Sequence, residues 1–288
     1  MKLIKYFLPL CLTIACGGKN NSFEIEAVEY KNTTHFRITT KAATYYLEQQ
    51  SGGFSSIIDT QGNDWIKYNK SDEVQVPKSA DSDFRGLPNL IHGGEQSGIG
   101  HPGFDKCQCE PTSKNRIICK SNNDNYAFTY TFYDDHVALE VIKADPDRNY
   151  WFLYEGTPGG IFNPEGKIWG TDKGIRNDKP DFLKGGTVED NWRWVFFGDQ
   201  QAEYTFFLMH LTSDEKPDVM GFMGNSDAGV NSDDGMVVFG FGRNKKTEPQ
   251  LSGTNQFLIG FRPYPVKNES DFLKLKSDIV EIKNRLNQ

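Results

Sequence analysis

The stretch FRGLPNLIHGGEQSGIGHPG, residues 84–103, gathers Arg85, Asn89, His92, Glu95 and His101 among glycines and prolines. These types suit one kind of reaction on an acidic sugar. β-Elimination needs a cation or amide to neutralise the carboxylate, a base for the adjacent proton and an acid for the leaving oxygen. Arg85 and Asn89 fit the first role. His92 or His101 fits the second, because an unperturbed imidazole titrates near neutrality. Tyr150 or Tyr154, in YWFLYEGTPGG, fits the third. Hydrolysis would instead require a pair of carboxylates, for which Glu95, Glu155 and Asp199 are the candidates, with no spacing that ties them together.

A sugar also needs flat aromatic faces and polar side chains around them. Trp169 and Trp192, with Tyr150, offer platforms, and Glu95, Glu155 and His210 offer polar contacts. In WRWVFF the alternation puts Trp192 and Trp194 on one face and Arg193 on the other, with Trp194 expected in the core. His35, His136 and His210 lie in strand text and read as structural, with His210 placed where a site loop would begin. A metal site from His92, His101 and His210 is a minor alternative, and no metal or cofactor is expected. GNSDAGVNSDDG holds Asp227, Asn231, Asp233 and Asp234, but lacks the spacing of an EF-hand and reads as a solvated acidic turn.

The elements that must hold these groups are strands. FEIEAVEY, HFRITTKAATYYLEQQ, FSSIID, WRWVFFGD, AEYTFFLMHL, GMVVFGFGR and NQFLIGFRPY are strand-like runs between polar or glycine-rich turns. NYAFTYTFYDDHVALEVIKA alternates around Asp134 and Asp135, as a hairpin does. Aromatic residues make up 13% of the chain, and they favour a pleated, half-buried surface. No alternation of strand and helix supports a doubly wound nucleotide fold. The expected class is all-β: one large antiparallel sandwich over residues 23–288, a supersandwich first and a jelly roll second. Long loops are expected at 69–106, 156–191 and 212–235, and such loops are commonly functional. One helix is expected over residues 270–287. Phe272, Leu275, Ile279, Ile282 and Leu286 share its face, and Asn268 or Ser270 caps it.

The first residues set the expected compartment. MKLIKYFLPLCLTIAC begins with lysines, continues through a short apolar run and reaches a cysteine after a small residue, as a secretory signal does. The run is too short for a stable span. TIAC resembles a bacterial lipobox, with Thr13 at the usual leucine position and Leu12 one place earlier. That resemblance implies a signal over residues 1–15, a lipid on Cys16, a tether over 16–22 and a place in the bacterial cell envelope, at the periplasmic or surface face of the outer membrane. The net charge of −7 and the dispersed basic residues exclude a nucleic-acid surface. With Cys11 in the signal, Cys107, Cys109 and Cys119 remain. Cys119 faces back across a turn towards 107 or 109, so a disulfide is expected there, as Cys109–Cys119 or Cys107–Cys119.

ATYYLEQQSGGFSSIIDTQGNDWI resembles the opening of galactose-mutarotase-like proteins. FRGLPN, GHPG and YWFLYEGTPGG resemble a group of secreted bacterial proteins from polysaccharide-degrading bacteria. The resemblance implies a supersandwich whose concave face binds sugar, with Arg85, His92, His101, Glu155 and His210 turned into the cleft. The expectation is therefore a lipid-anchored, exported protein that binds a polysaccharide or oligosaccharide and processes it by lyase-type β-elimination. The alternatives are a non-catalytic glycan-binding lipoprotein, a glycoside hydrolase and a structural envelope lipoprotein.

Overall fold

The computed structural model describes residues 23–67, 86–92, 106–176, 188–212, 214–224, 231–232 and 234–286. The expected signal, the expected tether and Cys16, the expected lipidation site, lie outside the described residues, as do Arg85, Glu95, His101, Asp227 and Asp233. Of His92 only the backbone is described.

Four strands open the fold as an antiparallel meander: β1 (Ile25–Tyr30), β2 (Thr33–Thr39), β3 (Ala43–Glu48) and β4 (Phe54–Asp59). β1 and β2 are joined by Lys31 and Asn32, whose φ angles of 49° and 61° are those of a tight two-residue hairpin loop. A second sheet contains β5 (Asn89–His92), β10 (Tyr150–Gly156), β13 (Val188–Asp190), β16 (Asp218–Met223) and β17 (Met236–Phe241), in the order β13-β16-β17-β10-β5. The two sheets meet where Phe54 and Leu87 exchange backbone hydrogen bonds of 2.7 and 3.2 Å. They form one layer.

The facing layer is a nine-stranded sheet. Its members are β6 (Cys107–Ser113), β7 (Arg116–Ser121), β8 (Ala127–Phe132), β9 (His136–Lys143), β11 (Lys167–Thr171), β12 (Gly174–Arg176), β14 (Trp194–Asp199), β15 (Thr205–His210) and β18 (Asn255–Arg262). They run in the order β12-β11-β14-β15-β18-β9-β8-β7-β6, with antiparallel pairings throughout. Between the layers one apolar core includes Tyr45, Phe54, Phe128, Tyr130, Phe152, Tyr154, Phe206, Phe239 and Phe261, all fully buried or nearly so.

The C-terminal helix α1 (Glu269–Leu286) lies on the outer face of the nine-stranded sheet. Phe272, Leu275, Ile279 and Ile282 are buried against Trp194, Phe196, Phe207, Met209 and Leu258. Asn268 is the cap: its Oδ1 accepts the Asp271 N–H at 3.1 Å, and Asp271 Oδ2 accepts the Lys267 N–H in return at 3.0 Å.

The expected loops contain strands. β5 lies in the first, β11, β12 and β13 in the second, and β16 in the third. β5 has four residues and β12 and β13 three each, too short for a periodic signal. Trp192 and Trp194 do not share a face. β14 begins only at Trp194, and Trp192 precedes it with its N–H held by Asp218 at 2.9 Å. Trp192 packs in the inter-sheet core and Trp194 stacks on Phe272 beneath α1. The cross-link joins Cys109 to Cys119, which stand opposite each other in the β6–β7 register. Cys107 is buried outside this cross-link, and its thiol donates to the Ser51 carbonyl at 3.7 Å.

Candidate functional site

β10 is buried on both faces, so its alternation divides the site residues. Tyr150, Phe152 and Tyr154 enter the inter-sheet core. Trp151 and Leu153 point to the other side, where they cluster with Met236 and Val238 of the neighbouring strand β17. Glu155 shares that outer face. β5 is aligned so that Asn89 stands opposite Leu153, and from there its side chain reaches diagonally to Glu155. The Asn89 Nδ2 donates to Glu155 Oε2 at 3.1 Å, with both residues buried. The backbone N–H of Glu155 is bonded to the carbonyl of Gly86, the residue after Arg85, at 3.1 Å.

A cleft of about 400 Å³ opens past the C-terminal end of β10. Lys31, Asp64, Lys67, Thr157, Phe162 and Ser232 line it. They come from the β1–β2 hairpin loop, the stretch after β4 that carries both Asp64 and Lys67, the segment after β10 and the stretch before β17. The β1–β2 hairpin loop carries Lys31, whose Nζ donates to Ser56 Oγ at 3.2 Å and lies 3.6 Å from Asp64 Oδ2. Lys67 donates its backbone N–H to the Glu155 carbonyl, which places it one strand from the buried carboxylate. Thr157 Oγ1 donates to the Asp64 carbonyl at 3.1 Å. Asp64 accepts from Ser56 Oγ and from the N–H groups of Ile57 and Ile66. Burial raises its pKa, while Lys31, Ser56 and the two backbone donors pull it back. The rim thus combines two ammonium groups, one carboxyl, two hydroxyls and an aromatic ring.

The expected chemical groups are dispersed by the fold. Tyr154 is fully buried and donates its hydroxyl to the Trp65 carbonyl at 2.7 Å. Burial pushes the phenol well above its usual range. It cannot protonate a leaving group, because it has no path to solvent and its proton is committed. Tyr150 is likewise enclosed, donating to the Gly253 carbonyl at 3.1 Å and accepting from Asn255 Nδ2 at 2.7 Å. Trp169 and Trp192 pack edge to face in the core, 5.9 Å apart, and offer no platform. Asn89 is fully buried on Glu155 and cannot bind a substrate carboxylate directly.

His210 is buried against Phe257, with ring centroids 4.7 Å apart. Its Nε2 bonds Asn255 Oδ1 at 2.9 Å, and its Nδ1 lies 3.2 Å from Asp214 Oδ2. It sits in the core between the layers, away from the cleft lining. His35 is fully buried and bonded to Ser55 Oγ and the Thr33 carbonyl. His136 is buried beside Asp135 and stacked on Tyr133. Asp199 is paired with the buried ammonium of Lys167 at 2.7 Å. Among the described residues, no cluster of three or more histidine, cysteine, aspartate or glutamate side chains is arranged to hold a metal.

None of the residues that line this cleft is among the sequence candidates; Glu155 and Asn89 stand on the paired strands β10 and β5 that lead to it. Lys31, Asp64, Lys67, Thr157, Phe162 and Ser232 come from separated segments. The available signals were weak: a Lys-Asn pair between two strands, and Asp64 within the quoted GNDW.

No family model matches the chain, and no curated protein matches it by sequence. Solved structures do match by shape. HI1317 has a TM-score of 0.55 at 12% identity, over 83% of this chain and 96% of that one. A galactose mutarotase related enzyme from Lactobacillus acidophilus has a TM-score of 0.51 at 8% identity, over 82% of this chain and 99% of that one. The fold is that of the galactose-mutarotase-like proteins. At such identities the match concerns architecture, and similar architecture does not carry activity.

Proposed function

We propose that the protein binds an acidic glycan in the cleft lined by Lys31, Asp64, Lys67 and Phe162. The observation that carries this reading is the pair of lysines on the rim of a cleft that also presents hydroxyls and an aromatic ring. Two ammonium groups suit the carboxylates of uronic acid units, the hydroxyls of Thr157 and Ser232 suit ring hydroxyls, and Phe162 suits the apolar face of a sugar. The galactose-mutarotase-like fold supports a sugar as the ligand class.

Lyase-type β-elimination is the catalytic form of the reading. The attachment of Gly86 to Glu155 supports it, because Arg85 then adjoins the site in sequence. In this form Arg85 and the lysines neutralise the uronate and His92 or His101 takes the proton. The acid is a group other than Tyr150 or Tyr154. The protein acts at the bacterial cell envelope, held by a lipid on Cys16.

A panel of uronic-acid polysaccharides tests both forms. Elimination produces an unsaturated product with ultraviolet absorbance. Binding with an absorbance rise supports the lyase, and binding without one supports a glycan-binding protein. Absence of binding to every member contradicts the proposal.

A further inference from the structure

A second cleft, of about 530 Å³, lies across the Pro158–Ile161 turn from the first. Its volume falls within the range of roughly 300–1,000 Å³ usual for small-molecule sites. The two clefts share Ile161 as a common wall, and that side chain is 69% exposed. The chemistry of the second differs from the first. Its polar lining is Gln61, Asn63, Asn163, Asp199, Gln200 and Gln201, with no lysine, arginine or histidine among the described lining residues.

Among the described lining residues, the one ionic group is already neutralised. Asp199 Oδ2 is 2.7 Å from Lys167 Nζ, and Asp199 Oδ1 accepts the Gln201 N–H at 2.9 Å. Lys167 is enclosed, and its other two protons go to the carbonyls of Pro158 and Ile161. Three acceptors thus saturate the ammonium group and tie the dividing turn to β14. Gly159 permits this close approach: its φ is 75°, and a Cβ there would stand 2.7 Å from Asp199 Cβ. The opposite wall is also fixed. Asp59 accepts the N–H groups of Gln61 and Asn63 and the Asn63 side-chain amide, all at 2.9–3.0 Å.

An ordered cleft walled by carboxamides, without a net cation, suits neutral hydroxyls better than an anion. Gln61 Nε2 donates to Glu203, Asn63 Nδ2 to Asp59, and Asn163 Oδ1 accepts the Glu165 N–H, so the donor and acceptor that a carboxamide presents side by side, which match two adjacent sugar hydroxyls, come from Gln200 and Gln201. We infer that the second cleft is a subsite for an uncharged sugar unit, and that Ile161 is the apolar ridge over which one glycan passes from one cleft to the other. The continuity of the two clefts rests on the acidic-glycan reading of the first; the neutral-sugar chemistry of the second does not.

The test uses the mature chain with galacturonate and the neutral hexoses galactose, glucose and mannose, each followed by saturation-transfer NMR. Gln200→Leu and Gln201→Leu change exposed side chains that serve no backbone element, so the fold is retained. At least one neutral hexose should bind the wild type. Each substitution should weaken that binding by about two- to tenfold, the value of one net hydrogen bond, and leave galacturonate unaffected. Failure of every neutral hexose, or unchanged affinity in both variants, overturns the subsite. If galacturonate still binds in that case, the first cleft stands alone. If a hexose binds and galacturonate does not, the subsite stands and the acidic-glycan reading falls.

Discussion

Asn89 and Glu155 meet across β5 and β10, with the amide Nδ2 3.1 Å from the carboxylate Oε2 and both residues buried. The contact joins the segment after Arg85 to the strand that ends at the cleft. A buried carboxylate deprived of a donor is costly. Asn89→Ala should lower stability by about 1–3 kcal/mol, read as a lower denaturant midpoint with unchanged slope. An unchanged midpoint would show that the contact has no structural weight.

Tyr154 separates the structural account from the sequence expectation. Its hydroxyl is bonded to the Trp65 carbonyl in the core. Tyr154→Phe should therefore cost about 1–3 kcal/mol of stability and leave any elimination rate constant unchanged. A large loss of rate with unaltered stability would restore the tyrosine to the chemistry.

His35 gives a pH dependence. The Thr33 carbonyl can only accept, so the Nδ1 carries the proton and Nε2 accepts from Ser55. Burial lowers the pKa of this imidazole, and that of His210 as well. The unfolded chain takes up these protons near about pH 6.5, and the folded chain does so only at lower pH. Stability is thus full above about pH 6.5 and is lost as pH falls through that value towards the folded pKa. Unfolding midpoints at about pH 7.5 and about pH 5 should differ more in the wild type than in His35→Gln. Equal differences would remove His35 from the acid response.

The Cys109–Cys119 bond closes a loop with a sequence separation of 10. Cys109→Ala with Cys119→Ala should reduce stability by about 2–4 kcal/mol, measured by chemical unfolding under oxidising conditions. No difference would mean that the β6–β7 pairing alone fixes this edge of the sheet.

The fold was legible where strands were long and aromatic. The hairpin around Asp134 and Asp135 is β8–β9, and the helix face of Phe272, Leu275, Ile279 and Ile282 is the buried face of α1. The platforms were not legible. Strand alternation does not reach Trp192, which precedes β14, so although Arg193 between them is exposed, Trp192 and Trp194 fill two different cores. The tyrosines of YWFLYEG were drawn towards the site by their chemistry, but the pleat turns Tyr150 and Tyr154 inward and Glu155 outward. Lys31, Asp64 and Lys67 meet through the turn of one hairpin and the end of another segment, a juxtaposition that no local spacing encodes.

The most direct measurement is the affinity of uronic-acid oligosaccharides for the wild type, Lys31→Ala and Lys67→Ala at low and high salt. At least one oligosaccharide should bind the wild type, more weakly as salt screens the lysines, and each substitution should weaken binding about two- to fivefold. Equal affinity in all three proteins, independent of salt, would contradict an acidic glycan in this cleft.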